Sequence, residues 1–566
     1  MDSVSSFLSS NASSAAYGVS LLIAILVAGY FYYDNQFKYF ARLGLKNPKP
    51  LPVVGNFLSM FSQNRMADER MRLQECGKFY GIFQGTRPRF ICADPEVLRQ
   101  ISIKDFDKFP NHEASSLLND IQHRFIFFMQ DDTWRQVRAL QTPTFTSGKI
   151  KRMYKLLNLC ADDLIDCFQE QLASMAMDKD AHNCETGAIV NLKDIYSLYT
   201  MDGIASCGYG LKLERKGSAS IKSAASRNDF VVMAMKLFEF SLLRLLVSFT
   251  FNKKFLSMIG FKTVARAEIE PIANKVRHII ETRRKSNRKH DDYLQILLDA
   301  NLDDQMELNE MDNKENHHAG LTHDSLLADQ KRMIDELESK QGQRQVVSSK
   351  TLSDEDILAS AVFLMVVGLE TTSTLLTNCS YTLAFHQDIQ EKLYEEVKKI
   401  AELNDDKTGY VFDYDKLTSC QYLDAVISES LRTLTPVLLL DRVAKEDYFI
   451  EKYNVTLPKG SKVLLAYHAI MNDPDSWPEP EKFDPERFMP GQREKIVPGS
   501  YCPFGLGPRH CLGMRFSLTE AKLGLAKVIM KYKFEPAPGT FYPPLSKRGV
   551  GLNSVNDPRV LLKLRQ

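Results

Sequence analysis

The chain has 566 residues and almost no net charge: 72 Lys and Arg against 71 Asp and Glu give +1. That balance argues against nucleic acid or an acidic partner at the level of the whole chain. Cysteines at 76, 92, 160, 167, 184, 207, 379, 420, 502 and 511 form no CxxC pair and follow no regular spacing. A disulfide framework is therefore not expected, and a reducing, cytosol-facing compartment is. No repeat of 20–50 residues is visible. No GxGxxG follows a strand, so the chain lacks a nucleotide or flavin domain of its own.

The N-terminus is where the chain is richest in apolar residues. Ala15 to Tyr33 contains no charge. As a helix rising ~1.5 Å per residue it would span about 28 Å, close to a bilayer's ~30 Å hydrocarbon core. Tyr30, Phe31, Tyr32 and Tyr33 would form an interfacial belt at its end. Only Asp2 is charged before it, whereas Lys38, Arg42, Lys46 and Lys49 follow it, which places the C-terminal side in the cytosol. A cleaved signal peptide would need a basic leading region, and none is present. The expected organisation is a luminal tail at 1–14, a transmembrane anchor at 15–33, a basic, proline-rich linker at 34–56 and one large domain at 57–566. The sequon Asn11-Ala12-Ser13 lies too near the membrane for use. In the linker, Pro48, Pro50 and Pro52 favour an extended spacer.

FYGIFQGTRPRFICAD (79–94) reads as two strands around Gly85-Thr86-Arg87-Pro88. Beyond it the pattern is mainly helical. Residues 301–350 are polar and poor in aromatics, as in a flexible surface insertion, with one short helix expected near 325–338. His317 and His318 there read as solvated loop residues. At Ser353 a cap begins a helix whose stretch Ile357 to Gly368 is apolar on all sides, so it should run through the protein's middle.

Residues 504–513, FGLGPRHCLG, set Cys511 in a glycine-rich loop two residues after Arg509. Met514, Leu518, Ala521, Leu525, Val528 and Ile529 then follow at helical spacing, so Cys511 lies at a helix N-terminus. Such a position lowers a thiol pKa and suits a nucleophile and an iron ligand equally. No His or Asp motif of a cysteine hydrolase is evident, and the ligand reading leads. Glu370, Thr371 and Thr372 end the apolar run. A Thr hydroxyl bonded back one turn is the plain reading, and a groove beside Gly368 for a small molecule and a relay water is the other. Glu429 and Arg432 share one face of an apolar helix, where a buried Arg needs a further partner. Trp134 and Arg138, four apart, would grip a carboxylate.

Together these segments resemble the cytochrome P450 family of haem-thiolate monooxygenases. Phe504, Gly507, Arg509, Cys511 and Gly513 fill every fixed position of the family's FxxGxRxCxG loop. WRQVR (134–138) resembles its WxxxR, VGLETT (367–372) its AGxETT, and ESLR (429–432) its ExxR. FDPERF (483–488) resembles the segment whose arginine joins the ExxR pair. WRQVRALQTPTFTSGK is similar to the microsomal animal clan that oxidises drugs, steroids and xenobiotics. The resemblance covers about residues 45–566, apart from 301–350.

The resemblance implies a mainly α fold with small β-sheets (α+β). It implies haem b (iron protoporphyrin IX) with Cys511 as axial ligand and Phe504 over the sulfur. Trp134, Arg138, Arg442 and Arg509 would hold the propionates, and Glu370 and Thr371 would deliver protons to dioxygen. Glu429, Arg432 and Arg487 would be structural. The segment Leu117 to Met129, the stretch Phe230 to Phe249 and Val437 to Leu440 would line the substrate cavity or its entrance, and Phe230 to Phe249 would dip into the membrane. Val367 stands where the family usually has Ala or Gly, and Met471 where His is common.

The reaction implied is insertion of one atom of dioxygen into a lipophilic small molecule, a xenobiotic, steroid or fatty acid. Electrons would come from NADPH through the membrane-bound NADPH-cytochrome P450 reductase, with cytochrome b5 as a second partner. The chain would sit in the endoplasmic reticulum membrane on one anchor, its catalytic domain cytosolic. Lys149, Lys151, Arg152, Lys522, Lys527 and Lys531 are candidate docking charges. A haem-thiolate isomerase of endoperoxides and a non-catalytic haem sensor or carrier are the rival readings. The intact Glu370-Thr371 pair speaks against both.

Overall fold

A computed structural model describes residues 20–565 other than 22, 25–26, 114, 116, 177–186, 213–232, 234–241, 252, 265, 287–289, 291, 300–351, 405–408 and 548–551. The 301–350 stretch, His317 and His318, the luminal tail and much of 230–249 lie outside the described residues. The elements that position the site are strands β1 (Phe79–Gln84) and β2 (Arg87–Cys92), helices α1 (Asp131–Gln141) and α2 (Ser147–Ala176), strand β3 (Gly187–Asn191) and helices α3 (Leu192–Tyr209), α4 (Asp354–Phe385) and α5 (Gln421–Thr433). Strands β4 (Leu440–Val443) and β5 (Lys462–Leu465), helix α6 (Met514–Lys531), and strands β6 (Tyr532–Pro536) and β7 (Arg559–Leu564) complete the set.

One sheet has the order β1-β2-β5-β4 and a second the order β6-β7-β3; two further sheets have two strands each. The β1–β2 turn is shorter than the sequence suggests, because Gln84 already faces Arg87 and only Gly85 and Thr86 turn. Pro88 is tolerated inside β2 because β5 pairs only with Phe90–Cys92, beyond it.

Helix α4 is the axis of the molecule. The Ser353 side chain accepts from the Asp356 N–H, and Asp356 accepts from the Ser353 N–H, a reciprocal cap that fixes its start. Its 32 residues reach about 48 Å. By length and hydropathy it is the one helix among the described residues fit to cross a bilayer, yet most of its apolar window is buried inside the protein. The predicted anchor lies elsewhere: in the described part, 27–37 is helical and Leu21, Ile23, Val27, Tyr30, Phe31 and Tyr32 are exposed.

Apolar residues gather in two clusters. The larger joins α1 to α6 and the β6-β7-β3 sheet. The smaller lies under the β1-β2-β5-β4 sheet and includes Tyr467, Cys502 and Leu506. Every described cysteine is free.

Candidate functional site

The cysteine loop closes on itself: the Cys511 N–H donates to the Phe504 carbonyl at 2.8 Å, and His510 binds the Gly507 carbonyl through its N–H and Nδ1. Gly507 has φ 73°, and a Cβ there would collide with the Ser102 carbonyl oxygen. The loop is thus pressed against the π-helical turn Gln100–Lys104, an approach only glycine permits.

Cys511 is ringed by protein and still reachable by solvent, so its thiol faces an opening inside the molecule. Burial pushes the thiol pKa up, outweighing the Gly513 N–H and the Arg138 charge. The lowering expected from the helix N-terminus does not win: α6 begins at Met514, and Gly513 is its cap.

Cations crowd the same opening. The Arg138 guanidinium has no hydrogen-bonded partner among the described residues; burial pushes it down to about 10, with Cys511 opposing. Arg509 lies over the Trp134 ring at 4.2 Å and donates to the Pro110, Phe127 and Met129 carbonyls and to Asn111 Oδ1. Burial, then the charges of Arg442 and Arg138, push it down to about 9. Arg442 is 1% exposed and its Nε has no partner among the described residues. Its NH1 is held by the Asp441 carbonyl and by the His112 ring at 3.1–3.2 Å. Sequence reading missed His112; only its place just after Pro110 and Asn111, which brace Arg509, could have drawn attention to it.

These features fit iron protoporphyrin IX. A buried thiol that is costly to ionise alone is deprotonated outright by a metal. Three guanidinium groups facing one another match two propionates. Phe504 packs against the larger cluster beside the loop.

On α4, Phe363, Leu364, Val367, Gly368 and Thr371 are half-buried between buried neighbours. Phe363, Val367 and Thr371, four apart, share one helix face that the protein only partly covers. Gly368 opens no groove: a Cβ there would meet Ile204 Cδ1 at 2.5 Å, so this glycine lets α3 cross α4 closely. The Thr371 hydroxyl donates to the Val367 carbonyl at 2.8 Å, the plain reading. Glu370 points to another side, where its Oε1 lies 3.1 Å from Lys193 Nζ. Phe125 packs on Phe363 at 5.0 Å, and Phe127, Phe128 and residues 437–440 are half-buried, so the 117–129 segment and β4 add apolar walls.

Glu429 and Arg432 are completely buried and paired by two bonds, at 2.7 and 2.8 Å. The remaining Arg432 donors go to the Met471, Pro480 and Lys482 carbonyls and Asn472 Oδ1. Arg487 faces Glu429 at 3.7 Å, not Arg432, and donates to the Glu479 carbonyl. Three backbone carbonyls and the Asn472 side chain, rather than Arg487, therefore complete Arg432. Met471 is a core residue whose carbonyl serves this network.

Two docking candidates are corrected. Lys522 is buried against Asp424 at 2.7 Å and the Thr418 carbonyl, and Lys527 is buried against Asp162 and the Asn158 carbonyl. Both point into the seams beside α6 because their stems cover apolar surface. Lys151, exposed, pairs with Asp415.

The family model described as "Cytochrome P450" matches residues 45–559. The chain is 30% identical to Cytochrome P450 3A29 of Sus scrofa over 547 residues, covering 96% of this chain and 95% of that protein. It is 31% identical to Cytochrome P450 3A11 of Mus musculus over 537 residues, 94% and 93% of the two chains. With Cytochrome P450 3A5 of Homo sapiens the identity is 29% over 530 residues, 92% of each.

Proposed function

The chain belongs to the cytochrome P450 family, and from that premise we propose how its residues carry the work of a haem-thiolate monooxygenase. The enzyme inserts one atom of dioxygen into a lipophilic small molecule, with electrons passed from NADPH by a reductase. Haem b, when bound, supplies the iron at which dioxygen is activated.

Cys511 is the residue that holds the iron, as thiolate. Arg138, Arg442 and Arg509, with Trp134, hold the propionates, and Phe504 shields the sulfur. The convergence of three guanidinium groups, Arg442 buried and Arg138 and Arg509 half-buried, on the side of Cys511 carries this reading. Phe125, Phe127, Phe128, Phe363 and 437–440 exclude water and favour apolar substrates. Thr371 moves a proton at Oγ1, and Glu370 stands behind it as acid. Glu429, Arg432 and Arg487 brace the region behind the cysteine loop.

The reductase is NADPH-cytochrome P450 reductase, with cytochrome b5 as a second donor; Lys149, Lys151, Arg152 and Lys531 remain docking candidates. The uncharged 15–33 segment and the basic residues after it support a single anchor in the endoplasmic reticulum membrane with the 57–566 domain cytosolic. Exposed Leu243, Phe251, Phe255, Met258 and Ile259 support contact of that domain with the membrane surface.

Cys511→Ser tests the ligation. The carbon monoxide complex of the reduced wild type should show the thiolate-type Soret band, and the variant should lose it. A variant that kept the band would overturn the assignment of Cys511.

A further inference from the structure

The extended spacer expected around Pro48, Pro50 and Pro52 does not begin at once after Tyr33. Residues 27–37 are helical, and a further turn of helix covers Tyr39–Arg42. The Lys38 N–H donates to the Asp34 carbonyl at 3.2 Å, and the Arg42 N–H to the Lys38 carbonyl at 3.0 Å, so the ladder runs through the join. Lys38 Nζ pairs with Asp34 at 2.6 Å and Arg42 with Asn35 across the same place. The helix stops at Gly44, where φ is 72°. There the Leu45 N–H donates to the Phe40 carbonyl at 2.9 Å and the Gly44 N–H to the Ala41 carbonyl at 3.1 Å, the paired bonds of a helix ended by glycine.

Tyr33, Phe37 and Phe40, four and three apart, share one face of this helix. Phe40 is completely buried. Its ring stands edge-on to Phe83 at 5.1 Å and to Phe90 at 5.3 Å, and Phe37 stands edge-on to Phe83 at 4.9 Å. Gly81, which faces Phe90 across the β1–β2 pair, makes the seat: a Cβ there would collide with the Phe40 ring. The Gly81 N–H also donates to the Lys46 carbonyl at 3.0 Å, a second tie to the same strand. The same hairpin holds the other part of the domain that faces the membrane in our reading. Arg87, at the start of β2, donates to the Phe251 carbonyl at 2.6 Å, and Phe251, Phe255, Met258 and Ile259 are exposed.

We propose that Phe40 seated over Gly81 is a rigid joint, which passes the direction of the anchor helix to the β1–β2 hairpin and so fixes the tilt of the catalytic domain against the bilayer. This inference rests on the reading of residues 15–33 as a membrane anchor. A helix unbroken across the join resists bending, whereas a Gly- and Ser-rich tether would let the domain rotate freely. Edge-on aromatic contacts set the direction of a ring as well as its depth. Because one hairpin carries both the seat of Phe40 and the tie to Phe251, the exposed apolar residues beside Phe251 meet the bilayer at one angle.

The test measures haem tilt in the full-length holoprotein by polarised absorption at the Soret band, in oriented bilayers of zwitterionic phospholipid. Wild type is compared with Phe40→Ala, Gly81→Ala and a chain with Gly-Ser-Gly inserted between Asn35 and Gln36. Wild type should be strongly dichroic. F40A and the insertion should each lose roughly half of that dichroism, because a loosened joint samples many tilts. G81A should behave as F40A does, since its methyl group evicts the ring. Alkaline carbonate should leave all four proteins in the membrane fraction, and all four should keep the reduced carbon monoxide band. Dichroism unchanged in F40A would overturn the proposal. So would dichroism lost in F40A but kept with the insertion, because Phe40 would then shape the hairpin rather than join the anchor to it. Should F40A lose the carbon monoxide band, Phe40→Leu, apolar but without a ring, carries the same measurement. A wild type that carbonate extracts would instead refute the anchor reading itself.

Discussion

Glu520, in the middle of α6, is fully buried, and neither carboxyl oxygen has a partner among the described residues. Burial pushes its pKa well above the ordinary carboxyl range. In the unfolded chain a Glu ionises near ~4.3. Between that value and the raised folded one, the folded protein binds one more proton than the unfolded chain. Stability is therefore fully present below the unfolded pKa and is lost as pH rises toward the folded one, by about 1.4 kcal/mol per pH unit. Glu520→Gln carries no such proton. Urea midpoints of wild type should fall more steeply between pH 5 and 7 than those of the variant. Equal slopes would mean that Glu520 has a counter-charge in the folded state. Lys522, two residues on and equally buried, needs no such account because Asp424 meets it at 2.7 Å.

Helix α5 separates what local spacing dictates from what folding adds. The three-residue offset of Glu429 and Arg432 is enough to put both on one face, and the apolar flanks imply burial. The carbonyls of Met471, Pro480 and Lys482 were not legible, because backbone acceptors carry no residue signature. The cysteine loop was legible for the opposite reason: its glycines, Arg509 and Cys511 are contiguous. Lys193 was not, since its partner lies 177 positions away and only the crossing of α3 on α4 joins them. The network makes unequal demands on its members. Glu429→Ala strands a buried guanidinium and should cost roughly 3–5 kcal/mol in urea unfolding. Arg487→Ala removes a 3.7 Å contact and one bond to a carbonyl, and should cost about 1 kcal/mol. Equal losses would mean that Arg487, rather than the carbonyls, secures the pair.

At the scale of the whole molecule, the site lies where the two apolar clusters meet. Trp134 and Met514 belong to the larger, Tyr467, Cys502 and Leu506 to the smaller, and the cysteine loop runs between them. Arg138 comes from α1, Arg442 from β4 and Arg509 from the loop, so closing the fold drives three guanidinium groups together. Their repulsion is visible in Arg509, which Arg442 and Arg138 both push down. A dianionic group held among them would relieve the repulsion, so part of the affinity for haem is expected to come from that relief. Arg138 is the cleanest probe, since no carboxylate among the described residues pairs with it. Arg138→Met should raise the melting temperature of the haem-stripped protein and narrow its response to salt, because screening then has less repulsion to relieve. In the holoprotein the same change should lower the melting temperature and speed haem loss, followed at the Soret band, because a bound ligand stabilises only as far as it is held. A stripped variant less stable than stripped wild type would show that Arg138 contributes packing rather than stored repulsion.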